Sequence, residues 1–185
     1  NIIMTEIENF STGIPMDSNT KLIELDPKEN IKNKKKIRLL LKKIAESSLD
    51  DLNSAISNAY NEKAEVRAFH PINDLKGITD IHDVLWKPLL QAFPDLERRD
   101  NLIIGGSFQN KNFVSTIGHL TGTFTNEWLN VPPNGKTIHL RTCEVHQIME
   151  GKIIQSHILI DTIDFIRQAG FWLINSSLGA EGMWP

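Results

Sequence analysis

GHLTGTFTNEWLNVPPNGKTIHLRTCEVHQIMEGKI, residues 118–153, is the stretch whose reading decides the fold. Its two flanks alternate polar and apolar residues with the period of two that a half-buried strand requires. The first flank completes a strand predicted over Phe113–Phe124, and the second is a strand over Thr137–Met149. Between them, Pro132-Pro133-Asn134-Gly135 supplies fixed and left-handed backbone angles that suit a turn and interrupt a ladder. Glu150-Gly151 then marks a tight hairpin into a further strand, predicted over Lys152–Asp164. A curved antiparallel sheet with polar residues on its inner face makes a pocket.

Working outward, Leu96–Phe108 also has the two-residue period and joins Phe113 through a turn at Gln109–Asn112. Before it the period is helical. Ile31, Ile37, Leu40, Leu41 and Ile44 share one stripe, and lysines fill the opposite face. Ser48–Tyr60 reads as a second helix, with Asp50 and Asp51 in its first turn. Glu65–Phe69 is a short strand, and Gly77–Ala92 is a helix in which Pro88 predicts a kink. Helices followed by four long antiparallel strands are an α+β plan, with the helices on one face of a bent sheet. We divide the chain into an arm and basic amphipathic helix, residues 1–45, and a main domain, residues 46–185. The apolar residues of the tail 165–185, among them Trp172 and Trp184, are expected to pack on the body or on a second chain.

The chain has 185 residues and a net charge of -3, which suits one domain with an appended segment. Slight acidity gives no reason to expect nucleic acid or an anionic membrane as a partner, and the lysines of residues 32–43 read as the solvated face of their helix. The sole cysteine, Cys143, excludes an internal disulfide and a cysteine-based zinc site, and it fits a reducing, cytoplasmic setting. No apolar run approaches the roughly 20 residues of a membrane span. The stretch NIIMTEIENF has no basic leader, so no signal peptide is expected.

HPINDLKG (70–77), WKPLLQAFPDLERRD (86–100), GHLTGTF (118–124), WLNVPPNGK (128–136), LRTCEVHQIMEGKI (140–153) and DTIDFIRQAGFW (161–172) together carry a resemblance. The chain from His70 to Pro185 resembles the SnoaL-like polyketide cyclases of the nuclear transport factor 2-like superfamily. That resemblance implies a cone, in which a strongly curved sheet wraps around helices and encloses an apolar cavity. It implies a homodimer joined through the outer sheet face. It also implies cofactor-free acid/base chemistry on a hydrophobic, carbonyl-bearing small molecule, such as aldol cyclisation, isomerisation or dehydration, with neither metal nor cofactor. Two departures stand out. The stretch where these cyclases place a proton-moving Asp is Ser156-His157-Ile158 here, and Ile158 cannot move a proton. The histidine of their Gly-Thr-His-x-Gly run comes one place early, as His119, which on a regular strand turns it to the other face.

Glu144 and His146 lie two apart on one strand and so share a face, a plausible proton-transfer pair. Asp161, near the end of the last predicted strand, is a candidate base in place of the missing Asp or else a cap for the segment after the strand. Trp86, Phe124 and Trp128 are candidates to line the cavity, with Trp128 at its rim, and His119 is a further substrate-binding candidate. Arg141 faces away from Glu144 and could hold a substrate carboxylate or form an ion pair on the outer face. With Ile158 in place of an acid, a non-catalytic binding or dimerisation module is the competing reading.

Overall fold

The computed structural model describes residues 27–171; the expectations for residues 1–26 and for the tail beyond Phe171 lie outside them. The elements run α1 (Pro27–Ala45), α2 (Leu49–Ala59), β1 (Tyr60–Arg67), β2 (Asp74–Lys76), α3 (Gly77–Asp80), a π-turn (Ile81–Trp86), α4 (Lys87–Ala92), β3 (Glu97–Phe108), β4 (Lys111–Thr123), β5 (Thr137–Met149), β6 (Lys152–Ile160) and α5 (Thr162–Ala169). The architecture is α+β, as the periodicities predict.

One six-stranded sheet has the order β2-β1-β6-β5-β4-β3. The β3–β4, β4–β5 and β5–β6 pairs are antiparallel, whereas β1 joins β6 in parallel. Two hairpins close on residue pairs with positive φ, Gln109-Asn110 and Glu150-Gly151, which match the right-handed twist of the strands they join. Along β5 burial alternates without a break: Ile138, Leu140, Thr142, Glu144, His146 and Ile148 point inward. The helices cover that inner face, with α1 against β3 and β4 and α2 against β1 and β6.

Each helix follows from local chemistry. Ser48 caps α2 by accepting a hydrogen bond from the Asp51 amide at 3.2 Å. On α1, Ile37, Leu41, Ile44 and Ala45 are buried, whereas Ile31, placed on that stripe by the helical period, is half exposed. The kink predicted at Pro88 takes the form of the π-turn. Proline has no amide hydrogen and its ring crowds the carbonyl four residues back. The chain accommodates this with wider turns, in which the Lys87 amide donates to the His82 carbonyl.

Three elements depart from the sequence reading, the first being the strand predicted over Glu65–Phe69, which runs Tyr60–Arg67. β2 pairs with β1 through Glu65–Lys76, Val66–Leu75 and Arg67–Asp74, although three residues carry no legible period. The strand predicted to reach Asp164 ends at Ile160, and α5 begins at Thr162. Asp161 stops the strand because its carboxylate accepts from the Asp164 amide at 2.9 Å, a helix cap.

The core runs from the helical stripes to the inner face of the sheet. At one end it is aromatic. Phe93 stacks on Phe124 at 5.1 Å between centroids, and Trp128 meets Phe165 edge-on at 4.8 Å, with Phe69 and Phe93 also in edge contact with Trp128. No helix among the described residues is long and apolar enough to cross a membrane.

Candidate functional site

A chain of polar side chains crosses the inner face of the sheet within this apolar surround. It begins on β3, where Arg98 reaches inward and donates to Asp100 Oδ1 at 2.9 Å, to Glu144 Oε1 at 2.8 Å and to Thr116 Oγ1 at 2.9 Å. Glu144 Oε2 lies 3.0 Å from His146 Nε2, and His146 Nδ1 lies 2.7 Å from Ser156 Oγ. Arg98, Thr116, Glu144, His146 and Ser156 are all buried.

The ladder explains how the sequence brings them together. Thr116 pairs with Glu144, and His146 pairs with Ser156, so β4, β5 and β6 each contribute a side chain to adjoining rows of one face. Tyr60, the last member, caps the C-terminal end of α2 and opens β1. Its hydroxyl is buried beside Ser156.

Burial by itself would raise the proton affinity of Glu144. The charge of Arg98 and the hydrogen bond and charge of His146 outweigh that effect and bring its pKa down to about 2. Glu144 is therefore ionised at neutral pH and serves as counter-ion and orienter. An ionised carboxylate only accepts, so Nε2 of His146 carries a hydrogen and Nδ1 is left to exchange a proton with Ser156. Both ring nitrogens are engaged, and a proton leaving the imidazole away from Glu144 passes through Ser156.

Of the residues singled out from sequence, the structure brings together Glu144 and His146. Asp161 lies elsewhere: besides capping α5 it accepts from Arg141 Nη2 at 2.9 Å, and Arg141 is 66% exposed on the outer face, where it also reaches Asp164. Of the two readings given for Asp161, base or cap, its geometry is that of the cap, because ending β6 at Ile160 turns its carboxylate to the helix that follows. Arg141 takes the ion-pair position on the outer face, away from the interior. His119 also faces outward, 6.0 Å from the ring of His139; β4 pairs with β5 in unbroken register, so nothing restores the histidine to the inner face. Phe124 and Trp128 fill the aromatic end of the core, and Trp128 is buried there and not at a rim. Trp86 is buried from the π-turn, and the indole N–H groups of Trp86 and Trp128 have no protein partner.

Sequence reading missed Arg98, Asp100, Ser156 and Tyr60. Among the described residues no three His, Cys, Asp or Glu side chains gather as a metal site. Of the strand histidines, His146 points inward, while His119 and His157 lie on the outer face. A surface cleft of about 670 Å³ lies between the α1–α2 turn and the end of α4, lined by Ser47, Ser48, Leu49, Leu90, Gln91 and Asn126 among others, and it includes no member of the polar chain.

The fold recurs in solved structures. A protein described as a SnoaL-like polyketide cyclase from Jannaschia sp. CCS1 superposes with a TM-score of 0.62 at 16% identity, over 74% of this chain and 90% of its own. IdmH from Streptomyces antibioticus, described as a polyketide cyclase, gives 0.60 at 18% identity, over 75% and 99%. A nuclear transport factor 2-like superfamily protein from Salmonella enterica serovar Typhimurium gives 0.55 at 13% identity, over 70% and 88%. A search of curated proteins finds none that matches. The family model of the SnoaL-like polyketide cyclases matches residues 38–169, from the middle of α1 to the end of α5, and the chain belongs to that family.

Proposed function

We propose that this chain is a cyclase-like protein that binds a hydrophobic, carbonyl-bearing small molecule and moves a proton at the carbon beside its carbonyl without a cofactor. His146 is the group that carries the proton, and Glu144 fixes its orientation and balances its charge. The observation that carries this reading is the buried run from Ser156 through His146 to Glu144, at 2.7 and 3.0 Å. An imidazole held between a hydroxyl and an ionised carboxylate can give or take a proton at one nitrogen while the other stays fixed. Asp161 has no part in this, since its carboxylate is committed to α5 and Arg141.

The reaction class is enol–keto interconversion, the step shared by aldol closure, isomerisation and dehydration next to a carbonyl. Deuterium exchange at the carbon beside the carbonyl reads it without knowledge of the natural ligand. With 2-tetralone and a panel of aromatic β-diketones, the wild-type chain should exceed the buffer rate. His146→Gln should lose on the order of 100-fold or more of that excess. Equal rates for the two proteins would overturn the role of His146.

The second reading, a binding module without turnover, is favoured by Ile158, which is buried on the inner face where the resemblance places an Asp. A lipophilic compound co-purifying in native mass spectrometry, with no exchange above buffer, would select it.

We also propose a homodimer through the outer sheet face. Leu102, Ile117, Cys143 and Leu159 form one row across four strands there, and the three aliphatic residues are 45–60% exposed. A second copy presenting the same row would cover it.

A further inference from the structure

We propose that Arg98 is a positioning residue for the proton-carrying pair: by tying down one oxygen of Glu144 it decides that His146 holds its hydrogen on Nε2, and so leaves Nδ1, beside Ser156, as the nitrogen that exchanges a proton. The consequence for catalysis rests on the acid/base reading above, whereas the placing of the hydrogen stands on the geometry alone.

The choice of tautomer lies on the Glu144 side of the ring. Ser156 Oγ is 2.7 Å from Nδ1, and a hydroxyl serves either tautomer: it donates to a bare nitrogen and accepts from one that carries hydrogen. A carboxyl group has no such freedom. As an anion it only accepts, and Nε2 must bring the hydrogen. As a neutral acid it has one hydrogen to place. Oε1 faces Arg98 Nη1 at 2.8 Å, and a guanidinium only donates. The hydrogen would therefore sit on Oε2 and point at Nε2, 3.0 Å away. Nε2 would become bare, and the hydrogen of the neutral ring would move to Nδ1. The charge on Glu144 selects between these two arrangements. Burial pushes Glu144 toward the neutral acid, and the charge of Arg98 is the largest effect that opposes it.

Arg98 is built for this task. Each of its guanidinium nitrogens has its own acceptor, Nε with Asp100, Nη1 with Glu144 and Nη2 with Thr116, so the plane of the group is fixed. Its amide donates to Glu46 Oε1 at 3.2 Å, which anchors the strand at this position as well. Thr116 stands opposite Glu144 on the ladder, so the guanidinium bridges a cross-strand pair. A lysine ammonium, a single point charge, would not hold these acceptors in one plane. Nor does stability account for the charge, since apolar groups of similar volume in place of a buried ion pair are often neutral or stabilising.

Protein labelled with ¹⁵N-histidine tests the assignment. Of the six histidines, His146 is identified by the signals missing from His146→Gln. Long-range proton–nitrogen spectra, at the most alkaline pH that keeps the fold, show which nitrogen of the neutral ring bears hydrogen. In the wild type it should be Nε2. In Arg98→Met it should be Nδ1, and deuterium exchange with 2-tetralone per folded molecule should fall on the order of 100-fold or more, because a wrong tautomer presents the wrong nitrogen. Glu144→Gln asks the same question with the guanidinium in place and the volume kept. Arg98 should turn the amide oxygen toward itself and the NH2 toward Nε2, again giving Nδ1–H. An arginine with only a structural role would lower stability and leave the tautomer unmoved. Nε2–H retained in either folded variant overturns the proposal, as does a wild-type ring with Nε2 bare or with both hydrogens throughout. A fixed tautomer with exchange lost in His146→Gln would remove Arg98 and leave the acid/base reading intact. A reversed tautomer with exchange unchanged in Arg98→Met and His146→Gln alike would keep the placing of the hydrogen by Arg98 and remove the acid/base reading.

Discussion

Glu144 on β5 stands directly across the ladder from Ile158 on β6, and both side chains point into the interior of the cone. Cross-strand partners of this kind hold their Cβ atoms about 4.5–5.5 Å apart. The position at which the resemblance expects a proton-moving Asp is therefore apolar, while its lateral neighbour is a buried carboxylate. The acid has not left the face; it stands one strand over, paired with Arg98 and His146.

Acid sensitivity comes from that pairing. Glu144 is held below its ordinary value of 4.5, at about 2, so its contribution to stability is complete above 4.5 and is lost as pH falls toward about 2. Asp95, lowered chiefly by its hydrogen bond from Thr123, acts with the same sign at the surface. Urea unfolding across this window should show stability falling with pH in the wild type. In Glu144→Gln the fall should be visibly shallower; an unchanged slope would mean that Glu144 is not the carboxylate being protonated.

Arg98 is bound to two carboxylates, and removing it leaves buried charge unpaired. Arg98→Met should cost about 3–5 kcal/mol in denaturant unfolding. The double variant Arg98→Met/Glu144→Leu should cost clearly less than the two single changes added together, since each alone strands its partner. Additive losses would show that the pair does not act as a unit.

Asp161 is expected to be structural. Asp161→Ala removes the cap of α5 and should cost about 0.5–2 kcal/mol. Deuterium exchange per folded molecule should stay at the wild-type level, and a loss of an order of magnitude there would return Asp161 to the site.

Leu159 tests the dimer. It is 60% exposed at one end of the outer apolar row, and Leu159→Glu would place a charge where a second copy is expected. Sedimentation should report a dimer for the wild type and a monomer for the variant, each with the same circular dichroism. A wild-type monomer, or a variant dimer, would count against this face.

How much of the fold and site was legible in the sequence depends on the period. Thr137–Met149 alternates so regularly that Glu144 and His146 could be placed on one inward face, and the hairpin at Glu150-Gly151 fixed its neighbour. Arg98 could not be placed in this way. Glu97, Arg98, Arg99 and Asp100 are all charged, so neither parity stands out, and the irregularity between Asp100 and Leu102 resets the phase immediately afterwards. Ser156 looks like any strand serine until its partner across the ladder is known. Tyr60 sits where a helix becomes a strand and has neither period. The α5 helix did leave a signal, Asp161 three residues before Asp164, then Phe165 and Ala169 at helical spacing, but the run of isoleucines before it favoured a longer strand.

Gly118, the first residue of the stretch that decides the fold, bears on more than the turn of a strand. A Cβ built there would overlap the Arg99 carbonyl oxygen and fall 2.9 Å from the Asp100 Cα, so the backbone of β3 occupies the space a side chain would need. Arg98 and Asp100 flank Arg99 and enter the interior from that inward fold of the strand. The curvature of the wall and the charge inside it thus share one origin. A methyl group at position 118 would force the β3 backbone that carries Arg98 and Asp100 to shift, disturbing the interior chemistry by way of the vessel that holds it.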